Sequence, residues 1–181
     1  YWHHINEEYD YLDENNLISE LDKKINYAVS MRTISDRKIG SFLSGGIDSS
    51  LITYYLQNQF SNPIDTFTVG FEDRNYDESD SAKKISNFLG TNHNEVNFTK
   101  DHLISLIPKL PIIWDEPFAD ASQLPTLLLS EYATQNVKVA FSGDGGDELF
   151  CGYTRYNKGY DIYKLFKSSP KFLNFFLKFS F

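Results

Sequence analysis

The chain has 181 residues, 17 of them basic and 25 acidic, for a formal net charge of −8, with 41% hydrophobic and 16% aromatic residues. That is about one domain of chain with ample apolar side chains for a core, which excludes a disordered polymer, and the acidic balance excludes a general basic surface for duplex DNA or RNA. The one cysteine, Cys151, excludes an intrachain disulfide framework and a Cys-rich zinc site and favours a reducing, cytoplasmic setting; no apolar run reaches the roughly 18 residues of a membrane span.

Residues 1–20 hold six acids (Glu7, Glu8, Asp10, Asp13, Glu14 and Glu20) and no Lys or Arg, the pattern of a solvated lead-in. From Asn16 the apolar residues Leu17, Leu21, Ile25, Ala28 and Val29 share one face at a 3.6 period, which predicts an amphipathic helix to about Met31. Ile39, Phe42 and Leu43 form a short buried strand that stops at Ser44-Gly45-Gly46. A helix over Asp48 to Gln59 follows, with Ile52, Tyr55 and Leu56 inward. Then comes a strand over Ile64 to Phe71, in which Phe67, Val69 and Phe71 alternate. Asp77 to Leu89 reads as a helix with Ala82, Ile85, Phe88 and Leu89 inward, and a third strand is expected around Glu95 to Phe98. Leu103 to Trp114 is apolar and helical but interrupted by Pro108 and Pro111, and Pro125 to Ala133 is a further helix with proline near its first turn. Val137 to Phe141 is the fourth strand. Strands separated by crossover helices predict an α/β fold with a doubly wound, mostly parallel sheet and flanking helices.

Ligands of such sheets bind beyond the carboxyl ends of the strands. Two loops in that position have unusual sequences. In Leu43-Ser44-Gly45-Gly46-Ile47-Asp48-Ser49-Ser50, two glycines allow close backbone approach, three serines offer hydroxyls, and the following helix presents free N–H groups. That is a cradle for phosphate oxygens. It lacks the Gly-Lys-Ser/Thr end of a Walker loop and the Gly-x-Gly-x-x-Gly spacing of a dinucleotide fold. Asp48 either caps its helix or carries a Mg²⁺ that shields it from a polyphosphate. The second loop, Ser142-Gly143-Asp144-Gly145-Gly146-Asp147-Glu148, places three carboxylates among three glycines. Its acids either favour the first turn of a short helix or make a second metal-binding edge, with Asp48 and Asp147 sharing one ion.

The Ser44 to Ser49 segment resembles the pyrophosphate loop of ATP pyrophosphatases, whose fold is adenine-nucleotide alpha-hydrolase-like. Ser142 to Glu148, followed by Leu149-Phe150 and Gly152-Tyr153, resembles the synthetase domain of glutamine-hydrolysing asparagine synthetase. Phe67-Thr68-Val69-Gly70-Phe71, Asp77-Glu78, Ala82, Leu89-Gly90-Thr91, His93 and Asp115-Glu116-Pro117 with Asp120 fit the same family, over roughly Trp2 to Tyr156. The resemblance implies ATP-dependent amidation of aspartate to asparagine through a β-aspartyl-AMP intermediate, with release of AMP and pyrophosphate and with ammonia drawn from glutamine.

By the same resemblance, Leu43, Ser44, Gly45, Gly46, Asp48, Ser49, Ser50, Val69, Ser142 and Gly143 bind ATP and its pyrophosphate. Leu43, Val69 and Gly143 line the adenosine pocket; Asp48 and Asp147 hold Mg²⁺; Asp144 and Glu148 are catalytic; Asp120 faces the amino-acid substrate. Asp144 stands where many relatives have Glu, and Cys151 where the family usually has Gly. Residues 1–15 are expected to be a linker from a glutaminase domain, 16–159 the synthetase domain, and 160–181 the start of a helical part cut short at its C-terminal side. In that last stretch eight of 22 residues are aromatic, with four Lys and one Asp. It reads as a helix that packs on further sequence, the other reading being a membrane-surface helix. The expected partners are aspartate, ATP, ammonia from glutamine, and the glutaminase domain, with a homodimer allowed and neither nucleic acid nor membrane. An amidotransferase for another carboxylate, such as a sugar acid or a β-lactam precursor, and a non-catalytic nucleotide-binding module are the alternatives. His93, His102 and Trp114 are expected to be structural rather than ligands.

Overall fold

A computed structural model of the chain describes residues 13–71, 77–116, 120 and 122–168. The chain divides into two compact units, one ending at Gly143 and the other beginning at Asp144. In the first, α1 (Glu14–Ser30) starts where the Asp13 carboxylate accepts the backbone N–H of Asn16 at 3.0 Å, a side-chain N-cap. Then follow β1 (Ile39–Phe42), α2 (Ile47–Gln57), β2 (Asp65–Phe71), α3 (Ser79–Leu89) and β3 (Asn92–Phe98). Next are α4 (Lys100–Leu106), a 3-10 turn (Ile107–Lys109), α5 (Leu110–Ile113), α6 (Gln123–Ala133) and β4 (Val139–Phe141). Pro108 and Pro111 fall at the starts of the 3-10 turn and of α5, where a missing N–H breaks no ladder, so the apolar stretch divides there rather than forming one helix.

The four strands lie in the order β3-β2-β1-β4, and all three pairings are parallel, with Ser41 opposite Thr66 on one side and Phe141 on the other. The expected doubly wound sheet is present, and every described pairing in it is parallel. Parallel strands need crossovers, and here these helices cover both faces. One core joins α1 and α2 to the sheet through Val29, Ile39, Tyr55, Leu56 and Ile64. On the other face Phe98, Leu106, Leu127 and Leu128 pack α4 and α6 against β2 and β3, and Phe67, Ala133 and Val137 continue that layer.

Two helical faces differ from their apolar pattern. Phe88, expected inward, is 87% exposed. The buried line of α3 instead runs through Ser79, Ala82 and Ser86, because the Ser86 hydroxyl pairs with Thr91 Oγ1 at 2.7 Å and, through it, with Thr66 on β2. A polar network thereby takes the centre of the interface and turns Phe88 outward. On α1 the stripe is buried only where α2 backs it: Val29 is covered, while Leu17 and Leu21 are 40% and 41% exposed. The third strand begins at Asn92, three residues before the expected Glu95, because the Asn92 N–H pairs with the Ile64 carbonyl and its side chain with Asp65. His93 lies within it, bonded to Thr66 Oγ1 at 3.1 Å, and Trp114 is half-buried.

The second unit holds α7 (Gly146–Phe150) and α8 (Thr154–Ser168). Between them Cys151 takes a left-handed conformation, φ 58° and ψ 37°, and the N–H groups of Cys151 and Gly152 both return to the Asp147 carbonyl. This is a helix stop that glycine fills at lower cost than any residue with a Cβ. Along α8, Tyr160, Ile162 and Tyr163 are exposed; the rest of the aromatic stretch, 169–181, lies outside the described residues, as do residues 1–12 of the acidic lead-in. Among the described residues no helix is long and apolar enough to cross a membrane.

Candidate functional site

The strand order sets the site. From β1 the chain winds outward to β2 and β3, then crosses back to place β4 on the opposite side of β1, so the winding direction reverses between β1 and β4. The carboxyl ends of these two strands border a crevice, the usual ligand position in an open parallel sheet. The Leu43–Gly46 turn leaves β1 there, and Ser142-Gly143 leaves β4.

Close backbone approach builds the crevice. Gly45 has φ +85°, and a Cβ on it would lie 2.8 Å from Ser81 Cβ and 2.9 Å from the Ala82 nitrogen, so the turn presses on the start of α3. A Cβ on Gly143 would lie 2.6 Å from the Ser49 nitrogen and 2.9 Å from the Asp48 carbonyl carbon. The two loops therefore meet backbone to backbone, which no other residue at 143 permits without a shift. Leu43 continues the β1 pairing through its N–H to the Phe67 carbonyl, 2.9 Å, and its side chain is 1% exposed. Leu43 thus offers a ligand its backbone rather than its side chain.

Helix α2 begins without a side-chain cap: its N-cap is Gly46, in contrast to Asp13 on α1 and Thr99 on α4. The N–H groups of its first turn, Ile47 to Ser49, have no intrahelical acceptor by geometry and lie at the positive end of the helix dipole. The serine hydroxyls of the loop are engaged with one another and with the loop backbone. Ser49 Oγ accepts the Ser44 N–H at 3.2 Å and lies 3.0 Å from Ser44 Oγ, which accepts the Gly46 N–H at 3.2 Å. Ser50 Oγ donates to the Gly46 carbonyl. Ser49 is buried, Ser44 is exposed, and Asp48 and Ser50 are half-buried. The hydroxyls thus hold the shape of the loop itself, which leaves the N–H groups at the helix start as its candidate donors to an anion.

The other expected residues fall in three places. Val69 packs in the layer with Phe98, Leu127 and Leu128, on the face covered by α4 and α6. Asp120 is exposed, and its Oδ1 accepts the Ser122 N–H at 2.8 Å; the Ser122 hydroxyl and N–H hold its carboxyl below the usual range, so it is ionised and shapes the entry to α6. Asp144, Asp147 and Glu148 belong to the second unit. There the Asp147 carboxylate lies directly against Gly152, where a Cβ would collide with it. Glu148 accepts the Tyr153 hydroxyl at 2.6 Å, a bond that lowers the carboxyl's pKa and pushes the phenol up to about 12. The Arg155 guanidinium stacks 4.0 Å from the centre of the Tyr153 ring. Asp144 is exposed. Ala82 and Tyr153 stand among the motif residues, but their contacts, and Ser81 altogether, were not legible there: Ser81 and Ala82 back Gly45, and Tyr153 is the partner of Glu148. Only proximity in the fold reveals the contacts of Ser81 and Ala82, whereas a Tyr five residues beyond an acid was a usable signal for that of Tyr153.

No group of three or more His, Cys, Asp or Glu side chains converges among the described residues. A Mg²⁺ that arrives on a nucleotide needs only one or two carboxylates besides phosphate oxygens, and the half-buried, hard-oxygen Asp48 beside the uncapped helix start fits that requirement.

Residues 20–177 match the family described as asparagine synthase. A Methanocaldococcus jannaschii protein of the glutamine-hydrolysing asparagine synthetase type is 40% identical over 163 residues, 89% of this chain and 31% of its own length. Asparagine synthetase [glutamine-hydrolyzing] 1 of Bacillus subtilis (strain 168) is 36% identical over 81% of this chain and 23% of its own, and the Cricetulus griseus enzyme 34% over 81% and 27%. The chain thus spans about a third or less of the curated relatives it matches. Among solved structures, the NH3-dependent NAD synthetase from Campylobacter jejuni superposes with a TM-score of 0.51 at 17% identity, over 78% of this chain and 61% of that one. The U34-tRNA thiolase NcsA from Methanococcus maripaludis superposes with 0.54 at 20%, over 86% and 55%. At these identities the likeness establishes the fold.

Proposed function

The chain belongs to the asparagine synthase family, and on that premise we propose that it carries the ATP-activating step of a glutamine-hydrolysing asparagine synthetase. The observation that supports this most directly is the uncapped first turn of α2, met by Gly143 at the point where the sheet's winding reverses. In this reading the pyrophosphate end of Mg·ATP lies on the N–H groups of Ile47 to Ser49, with Ser44, Gly45, Gly46, Ser49 and Ser50 shaping the loop. The backbone at Leu43, Val69, Ser142 and Gly143 borders the adenosine. The substrate's Mg²⁺ is carried by Asp48 and, on the match of its motif, by Asp147.

The aspartate side-chain carboxylate attacks the α-phosphorus, the bond to the bridging oxygen breaks, and pyrophosphate leaves with Mg²⁺. Ammonia then adds to the β-aspartyl carbonyl and AMP departs. Negative charge grows on the leaving pyrophosphate, so donors aimed at it stabilise the transition state more than bound ATP. Asp144 and Glu148 act on formation and aminolysis of the adenylate, and Asp120 orients the amino acid. Residues 1–15 link to a glutaminase domain that supplies ammonia, 16–159 form the synthetase domain, and 160–181 open a helical part. The protein is cytoplasmic in this reading, which is compatible with a homodimer.

Titration calorimetry of Mg·ATP on the full chain tests the assignment, with Asp48→Ala and Asp147→Ala each expected to weaken binding by at least tenfold, about 1.4 kcal/mol. Binding unchanged by both substitutions refutes the metal site. Product analysis with aspartate and competing acids identifies the carboxylate, and the absence of asparagine rejects the reaction.

A further inference from the structure

Behind the phosphate loop is a pair of hydroxyls that the reading above leaves without a role. Ser41 on β1 and Thr53 on α2 are both fully buried, and their oxygens lie 2.8 Å apart. Thr53 Oγ1 also donates to the Ser49 carbonyl at 2.7 Å. Each hydroxyl has one proton, so the order is set: Ser41 donates to Thr53, and Thr53 donates to Ser49. Ser49 Oγ in turn accepts the Ser44 N–H and donates toward Gly46 O at 3.3 Å. Two sets of hydrogen bonds therefore meet at Ser49: the Ser41–Thr53 pair holds its carbonyl, and its hydroxyl holds the loop that meets the phosphates.

This arrangement contributes little as stability. Replacing two mutually bonded buried hydroxyls together by apolar groups of similar shape is close to neutral; valine keeps the shape of Thr53, and alanine at Ser41 removes a single oxygen. Its effect is directional. A back-bond from Thr to the carbonyl four residues earlier bends a helix locally, and here it pulls the Ser49 carbonyl toward β1 at the first turn of α2. The N–H groups of Ile47, Asp48 and Ser49 belong to that same turn. We infer that Ser41 and Thr53 are positioning residues, which set the aim of the α2 N–H groups and so the affinity for the pyrophosphate end of Mg·ATP. The inference rests on the function proposed above.

The test uses the full chain with Thr53→Val, Ser41→Ala, the double variant and the conservative Thr53→Ser, read by Mg·ATP calorimetry, thermal denaturation and amide hydrogen exchange. Thr53→Val is expected to raise the Kd by about five- to tenfold, the equivalent of one hydrogen bond, while Thr53→Ser stays within about twofold of the unsubstituted chain. The double variant is expected to match Thr53→Val, because both changes cut one line of bonds. An unchanged Kd in Thr53→Val, or a loss that Thr53→Ser does not rescue, overturns the inference. If Thr53→Val does not fold, Ser41→Ala decides, with the same rise expected and an unchanged Kd refuting. If the unsubstituted chain binds no Mg·ATP, the proposed function fails. Exchange at the Ser50 amide, which donates to the Gly46 carbonyl at 3.1 Å, then carries the question: at least about tenfold faster exchange in Thr53→Val supports the positioning role, and an unchanged rate overturns it.

Discussion

Gly143→Ala isolates the contact that closes the crevice. Gly143 has no positive φ, so alanine carries no backbone penalty there and would even gain about 0.4–1 kcal/mol by restricting the unfolded chain. Against this, the new Cβ meets the Ser49 nitrogen at 2.6 Å, the Asp48 carbonyl carbon at 2.9 Å and Ser49 Cα at 3.0 Å. All three are backbone atoms, which cannot rotate away, so β4 and the first turn of α2 must separate by roughly 0.8 Å to restore ordinary contact. Overpacking of this kind costs about 1–3 kcal/mol, which exceeds the unfolded-state gain and leaves a net loss on the order of 1–2 kcal/mol. A displacement near 1 Å at a reacting site also costs up to about 100-fold in turnover. Chemical denaturation measures the first quantity and aspartate-dependent ATP–pyrophosphate exchange the second. Gly145→Ala is the comparator: nothing lies within 4 Å of its Cβ, but its φ of +88° makes the penalty purely conformational. A Gly143→Ala chain as stable as the original, with exchange unchanged, refutes the backbone-to-backbone closure.

Cys151→Gly relieves the left-handed residue after α7 and is expected to stabilise the second unit by about 1 kcal/mol, read as a higher denaturation midpoint; a lower midpoint would show that the Cys151 side chain contributes packing that outweighs its backbone. His93 supplies a pH dependence. Desolvation lowers its pKa, and its Nε2 is buried with no hydrogen-bond partner among the described residues, while Glu95 and Lys83 act on it with opposite signs. The unfolded chain therefore binds a proton near pH 6.5 that the folded chain takes up only at lower pH, so stability falls as pH drops through about 6.5 and levels off below the folded pKa. His93→Gln is expected to flatten that part of the stability–pH curve, and an unaltered curve would remove His93 as its source.

The alternation of apolar runs and crossover helices made the parallel sheet legible, because period 2 and period 3.6 patterns differ and parallel strands require long connections. The turn after β1 was equally legible, since Gly45-Gly46 between an apolar run and a helical pattern marks close backbone approach, and Gly45 takes a positive φ against the start of α3. Helix faces were less so: apolar periodicity put Phe88 inward, whereas the Ser86–Thr91–Thr66 hydroxyls claimed that interface. The alternating Phe67, Val69 and Phe71 likewise mark one face of β2, yet Thr66 and Thr68 are as buried as Phe67 because α3 covers the other face.

From the residues alone came the family, the fold class and the two loops that bear glycine and acid, because each rests on local pattern and on spacing along the chain. Which backbone atoms meet depended on the tertiary structure: Gly143 against Ser49, Gly45 against Ala82, and the buried Ser41–Thr53 pair that no motif marks. These contacts join residues from 12 to 94 positions apart. Their geometry follows from the strand order and from the helices packed on both faces, and neither is written in any single segment.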